Sequence, residues 1–161
     1  MEIVELGPDG WRRWRALRLA ALAQAPEAFG STLAEWTGEG DTEERWRRRL
    51  EEVPHNLVLV VDGRDVGMVS LTAPEGLDPS ELISMWVAPE VRGTGVGGAA
   101  VEAVLAVAAE VHPGSVVALS VYPGNATARS LYARHGFVDA GPSPDGAGEL
   151  RMVHQVVGRA G

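Results

Sequence analysis

Seven consecutive residues, Arg92-Gly93-Thr94-Gly95-Val96-Gly97-Gly98, combine an arginine, a glycine-rich turn and the onset of a long apolar stretch. That combination binds anions. Glycines let backbone N–H groups converge on one ligand, and a helix start adds the positive end of its dipole. Surface helices ordinarily carry Asp or Glu in the first turn, but here no acid follows until Glu102. Each glycine in a helix start costs about 1 kcal/mol relative to Ala, so the Gly97-Gly98 pair predicts that something approaches the backbone closely. A phosphate or pyrophosphate fits, with Arg92 as a fixed positive charge. Gly93 to Gly98 also satisfies the dinucleotide pattern G-x-G-x-x-G, which needs an acid about 20 residues on, at the end of the next strand. That strand ends Val121-Tyr122-Pro123 instead. The nicotinamide reading is therefore disfavoured.

The elements that must hold this loop can be read in order. Glu2–Leu6 alternates as a short strand, and Gly7-Pro8-Asp9-Gly10 breaks it. Trp11–Ala25 has helical spacing in Trp11, Trp14, Leu17 or Arg18, and Leu22, with Arg12, Arg13 and Arg15 opposite and Pro26 as a stop. Residues 27–40 resist assignment. Asp41-Thr42-Glu43-Glu44 predicts a capped helix running to about Glu52, on which Arg45–Arg49, alternating with acids, reads as a solvated face. Leu57–Val61 and Asp65–Thr72 form a hairpin about Asp62-Gly63. The central strand Leu82–Val87 then feeds the glycine loop and a long helix. Ser115–Val121 is the next strand, followed by a helix from Ala126 to about His135 that stops at Gly136. Val138–Gly141 and Glu149–Val157 close the order around a Pro142–Gly148 loop. The expected fold is a mixed α/β domain spanning 1–161, with a central six- to seven-stranded sheet and helices on both faces.

Composition removes whole classes of chemistry. The 161 residues are 45% hydrophobic and 22% charged, as in ordinary globular proteins. There is no cysteine, hence no disulfide framework, thiolate metal site or cysteine nucleophile. All fourteen basic residues are arginine, so a Schiff-base lysine is excluded. A net charge of −8 argues against nucleic acid and mildly favours cationic partners. The four histidines lack metal-ligand spacing, and His112 and His135 fall at helix C-terminal ends, where a cation is favourable. No metal is expected. No apolar run reaches the ~18 residues of a membrane span, and Met1-Glu2-Ile3-Val4-Glu5 has no signal-like core. A cytoplasmic protein without membrane partners is the expectation.

The element order, together with two segments, resembles the GNAT superfamily of acyl-CoA-dependent N-acyltransferases. Arg92-Gly93-Thr94-Gly95-Val96-Gly97, preceded by Trp86-Val87-Ala88-Pro89, is similar to its R-x-x-G-x-G pyrophosphate loop. Asn125-Ala126-Thr127-Ala128-Arg129-Ser130-Leu131-Tyr132, closed by Gly136-Phe137, is similar to its N-x-x-A-x-x-L-Y…G-F segment. The resemblance implies direct transfer of acetyl from acetyl-CoA to an amine. Glu27-Ala28-Phe29-Gly30-Ser31, after Ala25-Pro26, looks like an acceptor-side region of some members without naming a substrate. A homodimer through edge strands is also common in the family.

Direct transfer needs a base, because an alkylamine with pKa ~10 is protonated at neutral pH, and a proton donor for the leaving thiolate of pKa ~8.5. By resemblance Tyr132 is that donor; packing beside Phe137 is the alternative. Asn125 is a helix N-cap or a contact to the pantetheine arm, or both. Glu81 resembles the glutamate that some members carry near this position as general base, often acting through water; a solvated strand-end acid is the alternative. Alternation puts Glu81 on the face of Ile83, Met85 and Val87. Val87 would offer backbone groups to the pantetheine amides, and neighbouring strand N–H groups would hold the oxyanion. The cofactor-binding set is thus Val87, Arg92, Gly93, Thr94, Gly95, Val96, Gly97, Gly98 and Asn125. The first helices, the Leu77–Ser80 loop and the Pro142–Gly148 loop should flank the acceptor. Transfer of a longer acyl group, or an acyl-CoA-binding sensor or structural subunit, are the rival functions, since fold does not fix function.

Overall fold

The computed structural model describes residues 1–26 and 32–156, so the 27–31 stretch with its suggested acceptor role lies outside the described residues. The elements are β1 (Glu2–Glu5), α1 (Trp11–Gln24), α2 (Glu43–Glu52), β2 (His55–Val61), β3 (Arg64–Leu71), β4 (Ser80–Val87), α3 (Val96–Val111), β5 (Val116–Val121), α4 (Ala126–Arg134), β6 (Val138–Pro142) and β7 (Leu150–Gln155). All seven strands form one sheet in the order β1-β2-β3-β4-β5-β7-β6. Only the β4–β5 neighbours are parallel; the other pairs are antiparallel. The parallel pair is the one that needs a crossover, and α3 supplies it.

Among the described residues, four α-helices cover the two faces. The side chains of Asn56, Ser70 and Trp86 meet α1 and α2, through Arg49 of α2 and Gln24 of α1. On the other face, Gly97 of α3 lies against Met85, Val87 and Leu131. Apolar residues fill both layers, with Trp14, Leu22, Trp46, Val58 and Met68 wholly buried with the first pair of helices, and Ala100, Val101, Val104 and Leu119 wholly buried with the second. The unassigned stretch before α2 holds two short 3-10 turns, Leu33–Trp36 and Gly38–Gly40. Trp36 lies 4.5 Å from Trp46, ring to ring, which fastens this segment to α2.

Two expectations need correction. The Arg45–Arg49 run is not uniformly solvated. Arg47 and Arg48 do pair with Glu43 and Glu44 one turn back, at 3.0 and 2.7 Å. Arg49, however, turns inward to Asn56, Ser70 and Ser84. A run of arginines carries no period that distinguishes the inward one. The second correction concerns alternation along β4. Its pairing with β3 slips between Ile83 and Trp86, where three steps on β4 match two on β3, and Ser84 has a left-handed φ of 55°. This is a β-bulge. Glu81 therefore shares its face with Ile83 and Trp86, whereas Met85 and Val87 turn to the α3 face. Strict period-two reading fails because one extra residue inverts every side chain beyond it.

Candidate active site

The bulge lies where the sheet opens. β4 and β5 are paired only at Ser80–Val117 and Glu81–Ala118, although both strands continue beyond. Past Glu81 they part, leaving backbone groups of both strands facing a gap. The Ala88 N–H donates to Val66 O of the β3 side at 2.8 Å. Alternation then turns the N–H and C=O of Val87 away from β3, toward the gap. One of these is occupied: Arg92 Nε donates to Val87 O at 3.0 Å. The Val87 N–H points to the same side, into the gap.

Arg92 continues the glycine loop, and its position differs from a free phosphate ligand. Besides Val87 O it donates through Nη2 to Gln24 Oε1 at 2.9 Å, and Trp86 Nε1 donates to the same oxygen at 2.9 Å. Gln24 thus ties the end of α1 to the loop; nothing in its sequence neighbourhood signalled that. The four glycines divide into two kinds. Gly93 (φ 79°) and Gly95 (φ 92°) have left-handed backbones, and a Cβ on either would meet nothing within 4 Å. They shape the turn and leave open space above it. Gly97 and Gly98 instead admit the molecule's own side chains, Leu131 and His135, whose atoms would lie 3.3 and 3.0 Å from an added Cβ. At this pair the close approach that the structure shows is that of α4, through Leu131 and His135. Thr94 Oγ1 donates to Val91 O. α3 starts at Val96 with Gly95 as cap and no acid in its first turn, so its first N–H groups face that open space uncompensated.

Glu81 lies on the opposite face, at the last paired position of the gap, in a cavity of about 320 Å³. Thr72, Asp78, Pro144, Asp145 and Arg151 are among its walls. The two loops expected to flank an acceptor do meet here. Arg151 Nη2 donates to Glu81 Oε1 at 3.0 Å and reaches Asp145 Oδ2 at 3.5 Å. An ion pair alone would lower the Glu81 pKa. Burial and the hydrogen bond and charge of Asp145 outweigh it, and the Glu81 carboxyl is pushed up to about 7. Asp145 and Arg151 were not foreseen. The cross-strand match of Ser120 with Arg151 brings them in, and such register is invisible before strands are paired.

Tyr132 is buried on α4, its ring edge-on to Phe137 at 5.8 Å between centroids. Both readings of this tyrosine are compatible with that place. Burial pushes its phenol up to about 12, so it stays protonated at any physiological pH. Its hydroxyl has no hydrogen-bond partner among the described residues. Asn125 is the cap of α4: its Oδ1 accepts from Ala128 N at 3.2 Å, and the residue is exposed. His112 and His135 are C-caps, as their positions suggested.

Comparison with known proteins agrees with this fold. The model of the acetyltransferase (GNAT) family matches residues 16–137. A comparison with curated proteins gives no match. Among solved structures, the chain resembles paia N-acetyltransferase from Thermoplasma acidophilum in complex with coenzyme A, with TM-score 0.72, 15% identity and coverage of 96% of this chain and 98% of that one. It also resembles yncA, a putative acetyltransferase from Salmonella typhimurium with its cofactor acetyl-CoA, at TM-score 0.74 and 18% identity, covering 100% and 96%. A ribosomal-protein-alanine N-acetyltransferase from Brucella melitensis aligns at TM-score 0.67 and 23% identity, covering 96% and 99%. At these identities the likeness is one of fold.

Proposed function

The chain belongs to the GNAT acetyltransferase family, and from that premise we propose that it transfers acetyl from acetyl-CoA to a cationic primary amine by direct attack. The observation that carries this reading is the place of Glu81, facing an acid-lined cavity at the mouth of the β4–β5 gap, where burial and Asp145 push its carboxyl up to about 7. A base works best when its pKa lies near the working pH. Of the charged groups lining this cavity, Glu75, Asp78, Glu81 and Asp145 are acidic and Arg151 alone is basic. That balance favours a positively charged acceptor.

The residues present fit acetyl-CoA as cosubstrate. The open, acid-free turn at Gly93, Gly95 and Val96 suits a pyrophosphate, and Arg92 adds charge beside it. The Val87 N–H suits a pantetheine amide in strand-like pairing. In the reaction the amine nitrogen bonds to the thioester carbon and the C–S bond breaks. The cationic acceptor first gives one proton to Glu81, directly or through water, and the second proton shed by the nitrogen after attack leaves with the sulfur as CoA thiol. The Tyr132 phenol donates a hydrogen bond to the sulfur as negative charge develops there. Donating outright from a pKa of about 12 to a thiolate of ~8.5 in water is uphill, but the desolvation that raises the phenol raises a buried thiol too.

The test is an amine panel of linear diamines, amino acids and peptide N-termini, read as free CoA and acetylated product in equal amounts. Diamines should be turned over fastest. CoA release in proportion to enzyme but independent of any amine would replace the proposal with thioester hydrolysis, and no turnover despite acetyl-CoA binding would favour a sensor.

A further inference from the structure

The polar cluster under α2 has no part in the chemistry above, yet it ends on the bulge that opens the site. Arg49 projects from the last turn of α2 and its fork crosses three adjacent strands. Nη1 donates to Asn56 Oδ1 of β2 at 2.9 Å, and Nη2 donates to Ser70 Oγ of β3 at 3.2 Å and to Ser84 Oγ of β4 at 3.1 Å. Asn56 and Ser70 are wholly buried and bonded to each other, Ser70 Oγ donating to Asn56 Oδ1 at 2.8 Å. Asn56 Nδ2 in turn donates to Val53 O and Leu50 O at the end of α2, at 2.7 and 3.4 Å. Helix end and sheet are thereby fixed to one another, with the guanidinium at the centre.

Ser84 is the residue that makes this cluster matter. It is one of two non-glycine residues with positive φ among the described residues; the other, Asp62, sits in a hairpin turn. A left-handed serine in a strand is held there by its surroundings. The bulge it creates separates Glu81 from Met85 and Val87, so it sets which β4 groups face the gap and which face the acceptor cavity.

We infer that Arg49 is a positioning residue for acetyl transfer, holding the Ser84 bulge so that the β4 backbone keeps its aim into the gap while Glu81 faces the cavity. The inference rests on the acetyl-transfer reading, but the bulge itself can be followed without turnover. Burial, with neighbouring Arg18, lowers the Arg49 pKa to about 10 against the pull of Glu52, which leaves the guanidinium charged at neutral pH. A planar fork spreads its donors over two terminal nitrogens and so spans Asn56 on one and Ser70 and Ser84 on the other, whereas a lysine gathers its three donors on one compact nitrogen.

The experiment pairs Arg49→Gln with Ser84→Ala, singly and together. Amide hydrogen exchange of residues 83–87 is followed without ligand, and kcat and KM are measured well below each protein's unfolding temperature. Both single variants should speed exchange at 83–87 more than in β2 and lower kcat about 10- to 100-fold, as a misplacement near 1 Å does. The double variant should be no worse than Arg49→Gln, because both act through one contact. Arg49→Lys should recover little. Losses that multiply in the double variant, or a folded Arg49→Gln protein with unaltered exchange at 83–87 and parental kcat, would overturn the inference. Should Arg49→Gln fail to fold, Ser84→Ala decides alone, since it removes one half-buried hydroxyl and leaves Arg49 bonded to Asn56 and Ser70. Failure of the acetyl-transfer reading would appear separately, as no turnover in the parent with exchange still responding.

Discussion

Replacing Asp145 with Asn tests why Glu81 titrates near neutrality. Asp145 raises the Glu81 pKa through a hydrogen bond and through its charge, second only to burial. Both carboxylates reach the same Arg151 nitrogen, at 3.0 and 3.5 Å. Two unit charges about 6 Å apart repel by about 0.7 kcal/mol in water and about 2.8 kcal/mol at an effective dielectric of 20. At 1.36 kcal/mol per pKa unit, losing one of them should lower the other's pKa by ~0.5–2 units. Asn keeps the shape and one acceptor oxygen, and it leaves Arg151 wholly to Glu81, which acts in the same direction. The sign follows from the chemistry: a base works when deprotonated, so activity rises with pH through its pKa. The acid limb of kcat/KM, which reports the free enzyme, should lie near pH 7 in the parent and move to lower pH in Asp145→Asn. Arg151→Met should move it the other way. An unmoved limb in Asp145→Asn, with acetyl-CoA affinity retained, would refute the assignment of that limb to Glu81.

Other consequences follow from the same geometry. Tyr132→Phe keeps the ring against Phe137 and should bind acetyl-CoA nearly as before, yet lose ~10²–10⁴ in kcat; turnover within a few-fold of the parent would make it a packing residue. Gly95→Asp places a strained, negative residue where φ is 92° and the pyrophosphate would lie, so the rise in Tm produced by acetyl-CoA should vanish. Gly67→Ala forces a Cβ to 2.7 Å from Leu59 and 2.9 Å from the Trp86 carbonyl, and should cost about 1–3 kcal/mol in urea unfolding. Because Glu81 binds its proton more tightly folded than unfolded, its contribution to stability is full below its unfolded pKa of 4.5 and is lost as pH rises through about 7. Glu81→Gln should therefore flatten that part of the stability–pH curve.

Most of the fold was legible because its signals are local. The glycine loop, the Asn125 cap and the Gly136 stop mark their elements by backbone chemistry, and the helices begin and end within a residue or two of those marks. What escaped depends on partners far along the chain. The direction of Arg49 is set by strands it meets in space, and the Ser84 bulge by a mismatch with β3 that no pattern within β4 reveals. The same limit applies at the site. Glu81 could be nominated from its place on the central strand, but its environment comes from Asp145 and Arg151, brought in by β5–β7 register. Gly97 and Gly98 carry the same limit: the sequence shows that they lack side chains but not that Leu131 and His135 pack against them.

The central claim is that acetyl passes from acetyl-CoA to an amine with Glu81 taking the proton. It is tested most directly by quantifying acetylated diamine and free CoA across pH for the parent and for Glu81→Gln, with acetyl-CoA binding measured alongside. The account predicts equimolar products from the parent with an acid limb near pH 7, and from Glu81→Gln a rate strongly reduced at neutral pH, without that limb and with unaltered acetyl-CoA binding. Parental rates and the same limb in Glu81→Gln would contradict it.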